Sequence, residues 1–154
     1  YKRQDKKKAV ETMKSVIPYA EMMKVSDEEL VLLTGVEDYS QAAAQLLDMG
    51  PKLIAVTLGS EGVLLATRQR QEKVTGFKVQ AVDTTGAGDS FWGGFLSEYL
   101  KQEKDLEDFT WDGIKKCAIC GNATAALCVQ QRGGIPAIPK KEEVEQFINC
   151  QKIF

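Results

Sequence analysis

An α/β fold with a mainly parallel sheet and one hairpin is predicted by three observations. Lys52-Leu53-Ile54-Ala55-Val56-Thr57-Leu58 is an almost continuous apolar run bounded by turn residues, the pattern of a strand buried on both faces. Stretches with helical apolar spacing alternate with short strand candidates along the chain. A glycine-rich turn, Asp83-Thr84-Thr85-Gly86-Ala87-Gly88-Asp89, separates the last strand candidate from a long helical stretch.

The elements follow in order. Ala9 to Ile17 has the spacing of an amphipathic helix and continues a charged start, Tyr1 to Lys8. Met22 to Val25 reads as a short strand. Ser26-Asp27-Glu28-Glu29 opens a helix through Leu33 that Gly35 stops. Ser40 to Met49 reads as a helix ended by Gly50-Pro51, followed by the buried strand. Gly59-Ser60-Glu61-Gly62 is a tight turn, and Val63 to Thr67 pairs back as the hairpin partner. Lys73 to Val82 alternates enough for one more strand. Helices are then expected over Ser90 to Lys101, Trp111 to about Cys128, and Lys141 to Ile148. No repeat, low-complexity tract or interdomain linker interrupts this series.

A length of 154 residues is that of one ordinary domain, able to bury roughly two-thirds of its unfolded surface. At 44% hydrophobic and 27% charged residues, it is neither disordered nor fibrous in composition. Twenty Lys and Arg against 22 Asp and Glu leave a net charge of −2, which argues against a nucleic-acid or membrane-surface binder. Histidine is absent, so Ser–His and Cys–His pairs, histidine-ligated metals and histidine acid–base catalysis are excluded. Cys117 and Cys120 form a lone C-x-x-C without the second pair of a zinc site or the strand context of a redox site. With Cys128 and Cys150 they read as reduced thiols, and the compartment as cytoplasmic. No secretory h-region and no membrane-length apolar stretch is visible.

The chemistry concentrates at the turn after Val82. Small residues at Gly86, Ala87 and Gly88, between a strand and a helix start, let successive backbone N–H groups converge on one anion. The helix dipole adds roughly half a positive charge there. A carboxylate at Asp89 would repel that anion unless it took part in the reaction, accepting the proton of an incoming hydroxyl while the amides hold a transferring phosphoryl group. By itself Asp89 also reads as an ordinary acid complementing the helix dipole. Other phosphate motifs fail: there is no G-x-x-x-x-G-K-S/T, and Phe91 occupies the last position of G-x-G-x-x-G.

The fourteen residues from Asp83 to Leu96 closely resemble the second signature of the ribokinase-like (PfkB) family of sugar kinases, catalytic aspartate included. Val25 to Leu30 resembles the segment bearing the family's N-x-x-E motif. Thr57 to Gly62 resembles its nucleotide-contacting turn, and Asn122 to Pro139 its adenine and cation segment. Val25 to Glu29 and Gly134 to Pro139 look most like fructokinases.

The resemblance implies a Rossmann-like three-layer α/β/α fold and ATP-dependent phosphorylation of a sugar, fructose to fructose 6-phosphate. It makes Asp89 the base and the Gly86, Ala87 and Gly88 amides the anion hole. Glu29, with Ser26 at the motif's first position, would order Mg²⁺. Thr57, Gly59 and Gly62 would line ATP, and Asn122 would lie near the adenine. Oxygens of Asp83, Thr85, Cys128, Gln131, Gly133 and Ala137 would take K⁺.

Two departures accompany the resemblance. The family's Asn is Ser26 here, and Ser26-x-x-Glu29 is equally a helix capping box. Family members are also longer, with an N-terminal part that supplies sugar contacts and a β lid. The expectation is therefore that residues 1–154 are the C-terminal, phosphate-handling part, with an exposed sheet edge and self-association or a homodimer. Other acceptors stay open: 2-keto-3-deoxygluconate, another ketose or aldose, or a nucleoside. A non-catalytic nucleotide-binding module, docking through Lys2, Arg3, Lys6, Lys7 and Lys8, is the reading from another class.

Overall fold

The computed structural model describes residues 2–151, with the side chains of residues 2–6 outside that description. The chain divides into two compact units, one running to Leu58 and including Leu64–Lys73, the other comprising Gly59–Val63 and the chain from Val74 onward.

The first unit opens with α1 (Lys2–Val16), which extends the expected helix back through the charged start and passes into a 3₁₀ turn at Ile17–Tyr19. Strand β1 (Met22–Ser26) leads directly into α2 (Asp27–Thr34). The Ser26 side chain accepts from the Glu29 amide at 3.1 Å, while Glu29 Oε2 accepts from the Ser26 amide at 2.8 Å. This capping box satisfies two amides that would otherwise be orphaned. Gly35 closes the helix in the left-handed region at φ 74°. Asp38 caps α3 (Tyr39–Leu47), and β2 (Leu53–Thr57) follows with its first four residues buried.

β1 and β2 pair in parallel, Met22 opposite Leu53 and Ser26 opposite Thr57. β3 (Gly62–Ala66) and β4 (Gln71–Thr75) complete the sheet in the order β1-β2-β3-β4. The short links from β2 to β3 and from β3 to β4 admit only antiparallel neighbours, so the sheet is open and mixed. Its core joins Val25, Ile54 and Val56 to Leu30 and Leu33 of α2 and Leu46 and Leu47 of α3.

The second unit is mainly helical. It contains α4 (Ala87–Lys101), α5 (Trp111–Cys128) and α6 (Lys141–Gln151). α4 and α5 approach closely because glycine stands at both contacts. A Cβ on Gly94 would overlap the Thr124 side chain, and one on Gly121 would lie 2.8 Å from the Phe91 ring and carbonyl. Glu98 of α4 is 5% exposed, and its carboxylate takes Lys116 of α5 at 2.7 Å and Lys101 at 3.3 Å. Lys101 reaches Glu145 of α6 at 2.9 Å, so one chain of charges links all three helices. No helix among the described residues is long and apolar enough to cross a membrane.

Two boundaries beside the glycine-rich turn also differ from expectation. The last strand is Gln71–Thr75, not Lys73 to Val82. Gly76 ends it by packing on Gly62, and the Val82 and Asp83 amides then donate to the Val129 carbonyl at 2.7 and 3.1 Å instead of to a sheet. The helix expected from Ser90 starts at Ala87, which puts Gly88 and Asp89 inside its first turn. All four cysteines are free; burial pushes the Cys117 thiol up to about 12 and raises Cys120, as inert helix-face thiols require.

Burial alone would raise the Glu98 carboxyl, but hydrogen bonds from Lys116 and Lys101 outweigh it and hold it below the usual 4.5. Its contribution is therefore present above pH 4.5 and lost as pH falls through the lower folded value. Glu98→Gln is expected to cost about 1–3 kcal/mol at pH 7 by urea unfolding, the scale of hydrogen bonds to a buried charge. The difference from the parent chain should shrink in acid.

Candidate active site

The sequence Asp83-Thr84-Thr85-Gly86 folds as a turn because its first carboxylate spans it. Asp83 Oδ1 accepts from the Thr85 amide at 2.9 Å, and Oδ2 accepts from the Gly133 amide at 3.0 Å. The Gly133 amide, the Thr85 hydroxyl and amide, and the nearby Arg132 charge together lower the Asp83 carboxyl to about 2. Turn and loop are thereby held together. Gly86 adopts φ 78° and ψ 5° as the N-cap of α4, and a Cβ there would come within 3.1 Å of Gly134 Cα. Both the backbone angle and the contact call for glycine.

Gly86 passes the chain into α4, with its carbonyl accepting from the Ser90 amide at 2.8 Å. The Ala87 amide is engaged with the Thr84 carbonyl at 3.2 Å. The amides of Gly88 and Asp89 have no protein acceptor among the described residues, so they are the open donors of the helix N-terminus. The Asp89 side chain is exposed in that first turn. Asp89 and Ser90 also line a cavity of about 550 Å³ whose wall continues along α4, α5 and α6. Ser90 is 3% exposed, and its Oγ is the one buried side-chain oxygen without a partner among the described residues. Sequence reasoning passed over Ser90, because nothing in a serine's identity tells whether its hydroxyl will be paired.

The six residues assigned to the monovalent cation lie on two segments that meet. Asp83 and Thr85 stand on the turn. Cys128 ends α5, Gln131 and Gly133 follow, and Ala137 closes a 3₁₀ turn at Ile135–Ala137. Cys128 and Gly134 carbonyls accept from Gln131 and Ala137 at 3.2 and 3.1 Å. The donors available are a carboxylate and main-chain oxygens, which suit a hard alkali cation. No cluster of three or more His, Cys, Asp or Glu exists among the described residues to hold a transition metal.

The nucleotide-binding candidates fall into both units. Ser26 and Thr57 stand opposite each other at the carboxyl ends of β1 and β2, where open α/β sheets bind ligands. Glu29 commits Oε2 to the capping box and leaves Oε1 without a hydrogen bond among the described residues, one oxygen able to order hydrated Mg²⁺. Gly59 and Gly62 bound the 3₁₀ turn Gly59–Glu61, both with positive φ. Asn122 is buried on α5, with its amide directed at the Val74 and Thr75 carbonyls.

A model described as pfkB family carbohydrate kinase matches residues 2–141. "Probable fructokinase-5" of Arabidopsis thaliana is 37% identical over 145 residues, 93% of this chain and 44% of that protein. Among solved structures, aminoimidazole riboside kinase from Salmonella enterica, with aminoimidazole riboside and an ATP analogue, gives a TM-score of 0.81 at 28% identity, over 92% of this chain and 46% of its own. Ribokinase from Thermotoga maritima gives 0.75 at 33% identity, over 88% and 44%. A fructokinase double mutant from Vibrio cholerae O395, bound to fructose, ADP and potassium, gives 0.78 at 34% identity, over 88% and 42%. The fold is ribokinase-like, and the chain spans less than half the length of these relatives.

The lowered Asp83 carboxyl has a direct readout. Because its folded value lies below 3.8, the bridge persists on acidification through pH 4 and is lost only as pH falls towards 2. The Gly133 amide resonance is expected to titrate with a midpoint near 2. A midpoint near 3.8 would mean that the carboxylate is not bridged.

Proposed function

The chain belongs to the pfkB family of carbohydrate kinases, and from that we propose that it is the phosphate-handling, C-terminal part of an ATP-dependent sugar kinase whose acceptor is fructose. The observation that carries this reading is the α4 N-terminus, where open amides at Gly88 and Asp89 adjoin an exposed carboxylate at the third helical residue. Asp89 takes the proton of the primary hydroxyl as that oxygen bonds to the γ-phosphorus and the bond to the ADP oxygen breaks. The amides at Gly86, Gly88 and Asp89 hold the charge on the transferring group, with the helix dipole behind them. The Ala87 amide, turned to the Thr84 carbonyl, holds the turn's shape.

The acceptor rests on likeness to fructokinases at 37% identity. ATP rests on the Gly59–Gly62 turn and on the motif at Thr57. Asp83, Thr85, Cys128, Gln131, Gly133 and Ala137 would hold K⁺, which when bound supplies a fixed positive charge behind the anion-binding turn. Glu29 would order Mg²⁺ through water, which when bound shields the phosphates. A cytoplasmic setting accords with four free thiols. Self-association is part of the same proposal: β1 ends the sheet with β2 as its neighbour on one side only, leaving a row of backbone groups open among the described residues.

In a coupled ADP-release assay across a sugar panel, the enzyme bearing this sequence is expected to turn over fructose fastest. Asp89→Asn should lower that rate by about two orders of magnitude, the scale of a lost general base, with ATP affinity nearly unchanged. Unchanged turnover would remove Asp89 from the mechanism. The 154 residues by themselves are expected to bind ATP weakly and phosphorylate little sugar. Their sedimentation should shift to larger species with concentration, and a strictly monomeric profile would contradict the open-edge reading.

A further inference from the structure

The Gly59–Glu61 turn rests on a stack of backbone that ends on one buried side chain. Gly62 and Gly76 lie against each other: a Cβ on Gly62 would run into the Val74 carbonyl oxygen, and one on Gly76 would lie 2.9 Å from Ser60 O and 3.0 Å from Gly62 N. The Gly76 amide donates to the Glu61 carbonyl at 3.2 Å. The turn therefore has no room to settle unless the peptides of Val74 and Thr75 keep their place. Those two peptides end β4, beyond which no strand continues to fix them. Apart from the pairing of β4 with β3, what holds them is Asn122, whose Nδ2 donates to Val74 O and to Thr75 O, each at 3.2 Å. An amide nitrogen carries two hydrogens, so both are committed to main chain and neither is left for a nucleobase. Asn122 is 6% exposed, as a brace should be.

We propose that Asn122 is a positioning residue for the nucleotide-contacting turn, acting through the Val74 and Thr75 carbonyls and Gly76, and that its amide nitrogen does not read the base. This rests on the assignment of the 59–62 turn to the nucleotide. Removing the amide withdraws a donor from the buried Val74 carbonyl and from the half-buried Thr75 carbonyl and loosens the end of β4, so the turn loses its shape before any ligand arrives.

The test separates a brace from a base contact. In the nucleotide-free 154-residue chain, Asn122→Ala is expected to speed hydrogen exchange in peptides covering 60–63 and 74–77, with exchange in the middle of α4 unchanged. Calorimetry should then show affinity for ATP and for GTP falling by the same factor, about tenfold. Unchanged exchange without nucleotide, with or without a loss confined to ATP, overturns the proposal. If Asn122→Ala loosens the whole unit, Gly76→Ala carries the test from the other end. It should give the same local exchange and the same base-blind loss, and unaltered turn and affinity would overturn the relay. In the double variant the two losses should be less than additive, because they act in series. Binding of neither ATP nor GTP by the parent chain would instead refute the nucleotide assignment, while exchange at 60–63 still decides whether Asn122 braces the turn.

Discussion

The bridge from Asp83 to the Thr85 and Gly133 amides is the constraint on which the candidate site depends. A phosphate-binding turn must point several N–H groups one way, and isolated glycine-rich chain does not do so unaided, since glycine loses more conformational freedom on ordering than any other residue. Here one carboxylate fixes the turn from its own side and ties it to the loop after α5. The cost of burying little and ordering much is met by charge-assisted hydrogen bonds, the stronger kind. That the same carboxylate is also assigned to a cation is physically coherent. A group held ionised far into acid is a permanent negative charge beside main-chain oxygens.

The helices behind the turn serve its precision. α4 begins at the turn, and its contact with α5 is set by Gly94 against Thr124 and Gly121 against Phe91, positions at which any larger residue would separate the helices. Tight packing of this kind has a small number of arrangements. The first residues of α4 inherit that definition, and Asp89 is among them. Glu98 adds a second tie, drawing lysines from two helices onto one buried carboxylate.

Much of this was legible in the amino-acid order, and the exceptions have physical causes. The buried run at Leu53–Thr57, the capping box at Ser26 and the span Trp111–Cys128 are local signals, and each element formed where its signal lay. The strand expected to reach Val82 stopped at Thr75, because alternation alone cannot reveal that residues beyond Gly76 find Val129 rather than a neighbouring strand. The start of α4 was misjudged by three residues since glycine and alanine carry no periodicity. At the site, the small residues Gly86, Ala87 and Gly88 marked where a helix would open with unpaired amides, and those of Gly88 and Asp89 stand without a protein acceptor among the described residues. The commitment of the Ala87 amide to Thr84, and of Asn122 to two carbonyls, depends on tertiary geometry that no spacing encodes.

The two glycines that touch behind the turn are not equivalent. Gly134 lies at φ −60° and ψ −75°, and a methyl group there would meet Thr85 at ordinary contact distances of 3.6 and 3.7 Å. Gly86, its neighbour, combines a left-handed backbone with a tight approach. A saturation library over this pair would therefore be lopsided, with alanine surviving at one position and glycine alone at the other. Divergence among descendants of this sequence has room to begin at residue 134, on the loop side of the contact, while the side that opens α4 stays frozen.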